Sequence, residues 1–426
     1  MILPLFFTMI FPSFWRTGVF LLASLATGLC VTVMALVLKH GTEHYESVFR
    51  LWSQSHPLVL FIFLFSGLTL LVSLRKWAFR NRPNKGIREV LGALSSGHGL
   101  PSYKIPSHLV NGFLTVVTGG STGIEVSTVV AAGAVGSQWG DRHAFFQKYR
   151  GDLICAGISA GITALFGTLP GGLFFVWEVF SKPLDFRRAT ASLAASSIAF
   201  FIVTLVGEPA LFPLPLHGWH WHALPYFVAL GLLAAVHSVY LTRCVLFCKS
   251  VFSGILTTRA RVLVASLIMA VCISVWPALY GDGYHAVSDM LGQLPSASVY
   301  TLLPLVGAVL LLKPICTAVT LGGGGDGGVF APSLFSGAFL GAALAVVANT
   351  VFDADVIPLN FAVAGMAAAL SASIHAPLTA LFAVCGIVGD YTLWAPIALS
   401  VTVSHLTAKK LFPFSVYTYP AKAAGN

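Results

Sequence analysis

The sequence predicts an all-α polytopic membrane protein, built as an inverted repeat of two helical halves with broken, half-spanning helices between them. Composition, the spacing of apolar runs and a pair of related glycine-rich blocks carry that expectation. Of 426 residues, 57% are hydrophobic and only 9% are charged, where a soluble domain carries about 25% charged residues. Apolar runs recur at roughly 17–38, 58–74, 190–206, 225–247, 261–280, 300–312, 329–350, 359–385 and 392–408. Each approaches the ~20 residues a spanning helix needs, so ten or more membrane segments are expected. They should be helices, because the bilayer core offers backbone groups no water and the alternation of barrel strands is missing.

Taken in chain order, the first run follows Phe14-Trp15-Arg16 without a small-residue cleavage site and reads as an anchor, not a signal peptide. A short outer loop is expected around HGTEHYES (40–47), and the run 58–74 returns inward to the basic loop RKWAFRNRPNKGIR (75–88). Short basic loops stay cytoplasmic, which places the N-terminus inside. The net charge of +9 therefore sets orientation and is no sign of a nucleic-acid partner. The seven cysteines are scattered and mostly inside apolar runs, which suits buried thiols and not a disulfide framework. No Pro- or Ser-rich linker divides the chain, so one membrane domain is expected over 1–426. Its halves lie at about 15–210 and 220–420, and no cytoplasmic regulatory domain is expected.

The repeat shows when TGIEVSTVVAAGAVG (122–136) is set above GGVFAPSLFSGAFLG (327–341), which aligns Gly123 with Gly328 and Gly136 with Gly341. A second echo pairs LPGGL (169–173) with APLTA (376–380) at nearly the same offset. Transporters are commonly duplicated in this way, with substrate held at the repeat interface by Gly- or Pro-interrupted helices. The run GGGGDGGVFAP (322–332) cannot continue as a membrane helix. It suits a loop of exposed backbone amides leading into a helix near Phe330, and helix N-termini attract anions. Close packing through small residues would also explain either block alone; finding both in register favours the anion site.

Glu125 sits among glycines, small residues and valines, with no Lys or Arg in 118–137 to pair with. An acid inside the membrane costs ~2.5–3.5 kcal/mol even on the lenient insertion scale, and its default reading is functional. At a helix N-terminus it would compete with a transported anion for the same amides. Burial disfavours the charged form of a carboxyl, so Glu125 could exchange a proton. Glu178, after LFFVW and before a basic turn, reads either as an interfacial acid or as a proton relay toward Glu125.

These stretches resemble the CLC family of chloride channels and chloride/proton antiporters. GIEVS (123–127) is similar to a degraded G-[KR]-E-G-P motif, and GVFAP (328–332) fits G-x-F-x-P unchanged. In order along the chain, GIREVLGAL (86–94), CAGISAGITALFGTLPGGLFFVWE (155–178), LYGDGYHAV (279–287), HAPLTALFAV (375–384) and SVYT (415–418) also resemble family segments, so the likeness spans about 15–420. It implies a homodimer with one pathway per subunit. It also implies Glu125 as the external gating glutamate, Glu178 as the internal proton-transfer glutamate, and an anion site made by the amides of Val329 and Phe330 with the Tyr417 hydroxyl. Holding both glutamates resembles the antiporter branch. The departures are Ile124, Val126 and Ser127 in the first motif, and PNKGIR (83–88) where the family has G-S-G-I-P. That alignment puts Lys85 at the anion-coordinating serine. Its ammonium either faces the cytoplasm or reaches the anion or Glu125, a contact worth about 4 kcal/mol at ~4 Å and an effective dielectric of ~20.

Chloride and protons are the expected substrates, in a bacterial plasma membrane and among its lipids. A passive channel and a carrier of fluoride or nitrate remain alternatives. No cofactor or metal is expected, since H-E-x-x-H and G-x-x-x-x-G-K-[ST] are both missing from the sequence. An intramembrane enzyme would need a nucleophile–base pair or a metal cluster, which the sequence does not offer.

Overall fold

The computed structural model describes residues 3–54, 56–82, 84–180, 185–216, 218–255, 257–294 and 299–419. The first half contains α1 (Leu3–Gln54), α2 (Pro57–Trp77), α3 (Ile87–Ser96), α4 (Lys104–Val117), α5 (Glu125–Arg142), α6 (Ala144–Gln147), α7 (Arg150–Phe166), α8 (Leu169–Phe175) and α9 (Phe186–Leu205). The second contains α10 (Leu224–Ile255), α11 (Thr258–Val275), α12 (Tyr284–Gln293), α13 (Val299–Gly323), α14 (Phe330–Phe352), α15 (Pro358–Ile374), α16 (Pro377–Val388) and α17 (Trp394–Leu411). Among the described residues, seven of these helices are long and apolar enough to cross a membrane: α1, α2, α9, α10, α11, α13 and α14. The chain is an all-helical integral membrane protein.

Among the helices outside the apolar runs, α5 and α7 are rich in Gly, Ser, Thr and Ala. Every residue of α7 from Asp152 to Phe166 is buried. A helix enclosed by other helices meets no lipid, so small residues that allow close approach serve it better than large apolar ones. Gly136 of α5 lies against the backbone of Leu153, and Gly341 of α14 lies against that of Phe361. At either position a Cβ would collide with main chain.

Two expectations are corrected. Residues 40–47 form no loop, because α1 continues to Gln54. Its polar residues Lys39, Thr42 and Glu46 are buried, and at this helical spacing they face the protein interior. The run 359–385 is not one span but α15 and α16. His375 takes a left-handed conformation (φ 57°) and Pro377 opens the next helix, as suits a proline with no N–H to give. Gly167 and Thr168 make the matching break between α7 and α8. All seven cysteines are free; Cys155, Cys316 and Cys385 are buried, Cys244, Cys248 and Cys272 partly so, and Cys30 is exposed.

The repeat is visible in hydrogen bonds. Gly119 (φ 98°) ends α4 and Gly324 (φ 111°) ends α13. Next to them, the Gly120 amide donates to the Thr115 carbonyl at 2.8 Å and the Gly325 amide to the Thr320 carbonyl at 2.9 Å. The halves then exchange contacts: the Ser121 amide donates to the Thr320 hydroxyl at 3.1 Å, and the Asp326 amide to the Thr115 hydroxyl at 2.9 Å. An antiparallel bridge joins Gly123 to Gly328, the two glycines the sequence repeat aligns. Thr320→Val is expected to strand the buried Ser121 amide and cost about 1–3 kcal/mol, with Thr115→Val doing the same to Asp326. Thermal unfolding in detergent reads this; unchanged midpoints in both variants would mean these hydroxyls do not hold the halves together.

Candidate functional site

The Gly123–Gly328 bridge brings the starts of two helices to one place. α5 begins at Glu125 and α14 at Phe330, so each points its free amides and its positive dipole end at the junction between the halves. α3 approaches as well, with Gly86 lying against Val126. An ion pair between the buried Lys104 and the partly exposed Glu89 (2.6 Å) ties α3 to α4.

Glu125 is 2% exposed. Its Oε1 accepts a hydrogen bond from the Tyr284 hydroxyl at 2.6 Å. The carboxyl faces its own backbone amide and that of Ala331 in the first turn of α14. Oε2 lies over Gly123, where a side chain would collide with it. The acid therefore occupies the place where an anion would meet both helix starts. Phe330 is fixed by stacking on Phe166, with centroids 5.1 Å apart. Tyr417 is buried, and its hydroxyl has no hydrogen-bond partner among the described residues. It lies near Gly328, where a Cβ would come within 3.6 Å of it.

The structure thus assembles Glu125, Val329, Phe330 and Tyr417 at one point and does not bring Lys85 to it. The Lys85 side chain is exposed, its backbone amide donates to Glu89 at 3.3 Å, and among the described residues no ion pair joins it to Glu125. Glu178 is elsewhere and already engaged. It lies in a π-helical turn, Val176–Phe180. Its carboxylate accepts from the amides of Leu378 (3.0 Å) and Thr379 (2.8 Å) and from the Thr379 hydroxyl (2.7 Å). It therefore caps the start of α16 across the repeat interface.

Several charged residues around the site were not singled out from sequence. On the side of the basic loop, Asp326 is buried among Asn84 (2.8 Å), His108 (3.2 Å) and Arg75 (3.9 Å). On the other side, a water-sized pocket of about 30 Å³ reaches Glu125 past Lys39, Glu43, Asp282 and Tyr284. It adjoins a cavity of about 390 Å³ that also takes in His40, Glu46 and Glu208. Burial would raise the Glu208 carboxyl, but Lys39 and His40 outweigh it and hold it below its ordinary range. Lys313, fully buried in α13, faces Asp282 and Glu46. A lone Lys in the run LLLKPICT is an intramembrane charge and could have been found by that rule.

The description "Voltage gated chloride channel" belongs to the family whose model matches residues 67–409. A ClcB-like protein of Ralstonia nicotianae is 30% identical over 366 residues, covering 83% of this chain and 82% of the relative. The "H(+)/Cl(-) exchange transporter ClcA" of Vibrio vulnificus is 29% identical over 329 residues, 74% of this chain and 69% of the relative. The solved structure of a slow cyanobacterial Cl-/H+ antiporter superposes with a TM-score of 0.82 at 23% identity, covering 94% of this chain and 96% of the other. At that identity the likeness speaks for the fold.

Lys85→Ser is expected to leave anion flux and its pH dependence within about twofold of wild type, as for an exposed charge screened by solvent; a larger change would bring Lys85 into the pathway. Glu178→Ala is expected to lower stability by about 0.5–2 kcal/mol, as loss of a helix cap does, and Glu178→Gln by less, because the amide oxygen still accepts. Equal unfolding midpoints for wild type and the Ala variant would remove the cap.

Proposed function

The chain belongs to the voltage-gated chloride channel family, and we propose that it carries chloride across the membrane in exchange for protons, with Glu125 as the gate. One observation supports this above the others: the buried Glu125 carboxyl lies where the first turns of α5 and α14 converge. Amides aimed at that point would hold a chloride ion without a full countercharge, and hydrogen bonds to a charged group contribute about 1.5–3 kcal/mol each. The ionised Glu125 fills the same place. Protonation removes its claim on the amides, and the side chain can then leave for the outer cavity. Anion entry and proton uptake are thereby two uses of one site, which is the physical basis for exchange. The partnerless Tyr417 hydroxyl and the amides of Val329 and Phe330 would line the anion site, and the basic loop faces the cytoplasm, with the N-terminus on the same side. The family resemblance further implies a homodimer.

In this reading Glu178 passes protons between the cytoplasm and Glu125. A second reading, a passive channel, is favoured by its hydrogen bonds to α16, which give it a purely structural task. Reconstitution into liposomes separates the two, with anion efflux and proton uptake recorded together at pH 7 and pH 5. Chloride efflux that drives protons uphill is the expected result. Glu125→Gln, a neutral mimic of the protonated acid, should abolish proton movement and flatten the pH dependence of anion flux. Efflux without proton movement in the wild type would make the protein a channel. Fluoride or nitrate flux without chloride flux would change the substrate.

A further inference from the structure

The segment LYGDGYHAV (279–287) has no role in the anion site as described, yet it is the part of the second half that touches Glu125. The Tyr280 hydroxyl donates to the Val117 carbonyl at the end of α4, at 2.7 Å. Gly281 admits the Glu46 carboxylate, which a Cβ would displace. The Asp282 carboxylate accepts from the Tyr284 amide at 2.8 Å and so caps α12. Gly283 takes φ 90°, which disfavours other residues, and packs against Phe335. Beneath the segment, the buried Lys313 ammonium donates to the carbonyls of Gly281 (3.0 Å) and Leu279 (3.4 Å) and sits 4.6 Å from the Phe335 ring centre. The turn is held from both sides, and its end presents Tyr284, whose ring lies edge-on to Phe212 at 5.9 Å.

We propose that Tyr284 is the latch of the gate: its hydroxyl, positioned by Lys313 and Asp282 through the 279–283 turn, retains the ionised Glu125 carboxylate in the anion site and sets how rarely the site opens. A hydroxyl donating to a carboxylate at 2.6 Å is in the range of the strong, charge-assisted hydrogen bonds, and a low-dielectric setting strengthens it further. The other charged or titratable groups facing the acid are Asp282 from the same turn, Lys39 and Glu43 of α1 across the small pocket, and Tyr417 from the C-terminal segment. Among the described residues, only the Tyr284 side chain donates a hydrogen bond to the Glu125 carboxylate. Protonation of Glu125 weakens that bond, so the latch releases with the same event that frees the amides.

The inference rests on Glu125 acting as the gate, and the test separates the two claims. Wild type, Tyr284→Phe, Glu125→Gln and the double variant are reconstituted in liposomes, and efflux of whichever of chloride, nitrate or fluoride the wild type carries is measured at pH 7 and pH 5. Tyr284→Phe keeps the ring and should raise flux at pH 7 by about tenfold to a hundredfold, as for a lost hydrogen bond to a charged group. Flux should then approach the pH 5 value, with no further effect in the Glu125→Gln background. Should the Phe variant not yield folded protein, Tyr284→Leu carries the same test. Flux equal to wild type at both pH values, with Glu125→Gln behaving as a gate variant, would overturn the latch and leave the gate standing. An equal fold-change in the Glu125→Gln background would also overturn it, since Tyr284 would then act on something else. A Glu125→Gln protein with wild-type flux and pH dependence would overturn the gate and the latch with it.

Discussion

Everything at the centre of this molecule depends on two glycine-rich loops lying against each other. The Gly123–Gly328 bridge is a single contact, but its consequence is geometric. It ends two helices from opposite halves and starts two others, α5 and α14, at the same point. Thr115 and Thr320 lend their hydroxyls across the junction, so each loop satisfies an amide of the other. Buried backbone donors need partners, and the remaining free amides are those of the first turns. An anion, or the Glu125 carboxylate, is the natural complement to them.

The surrounding packing serves that junction. Helices α5 and α7 approach closely through Gly136 and Gly157, and α14 and α15 through Gly337, Gly341 and Gly365. This rigid, closely packed interior explains why the acid can be held in a fixed pose with so little room around it. On one side of the junction, several carboxylates and a few cations face a cavity. On the opposite side lies Asp326, in the loop before α14, with His108, Arg75 and Asn84 around its carboxylate. The two sides of the junction therefore differ in their electrostatics.

The chain also shows how one type of residue does unlike work in its two settings. Glu125 and Glu178 both lie at helix starts and both accept hydrogen bonds. Glu125 is enclosed at the meeting of two helices, held by one tyrosine that comes from a distant turn. Glu178 is partly exposed and held by three donors of a single helix start. The first arrangement rests on a single side-chain hydrogen bond; the second is part of how α8 and α16 are joined.

Much of this was legible in the sequence. Apolar runs marked the long helices because lipid contact demands an apolar surface. The offset between the two glycine blocks anticipated the bridge, since a duplicated fold places equivalent residues about a common axis. A lone acid beside glycines identified Glu125, because such a residue is costly without a purpose. What the sequence left open was decided by tertiary contacts. Helices α5 and α7, enclosed by their neighbours and built from small residues, fall outside the long apolar runs. Residues 40–47 look like a loop by polarity, yet α1 runs through them with Thr42 and Glu46 buried on its inner face. Lys85 aligns with a coordinating position, yet its side chain is exposed. Tyr284 and Lys313, 159 and 188 positions beyond Glu125, come to the site only because the second half folds back on the first, and no local pattern encodes that approach.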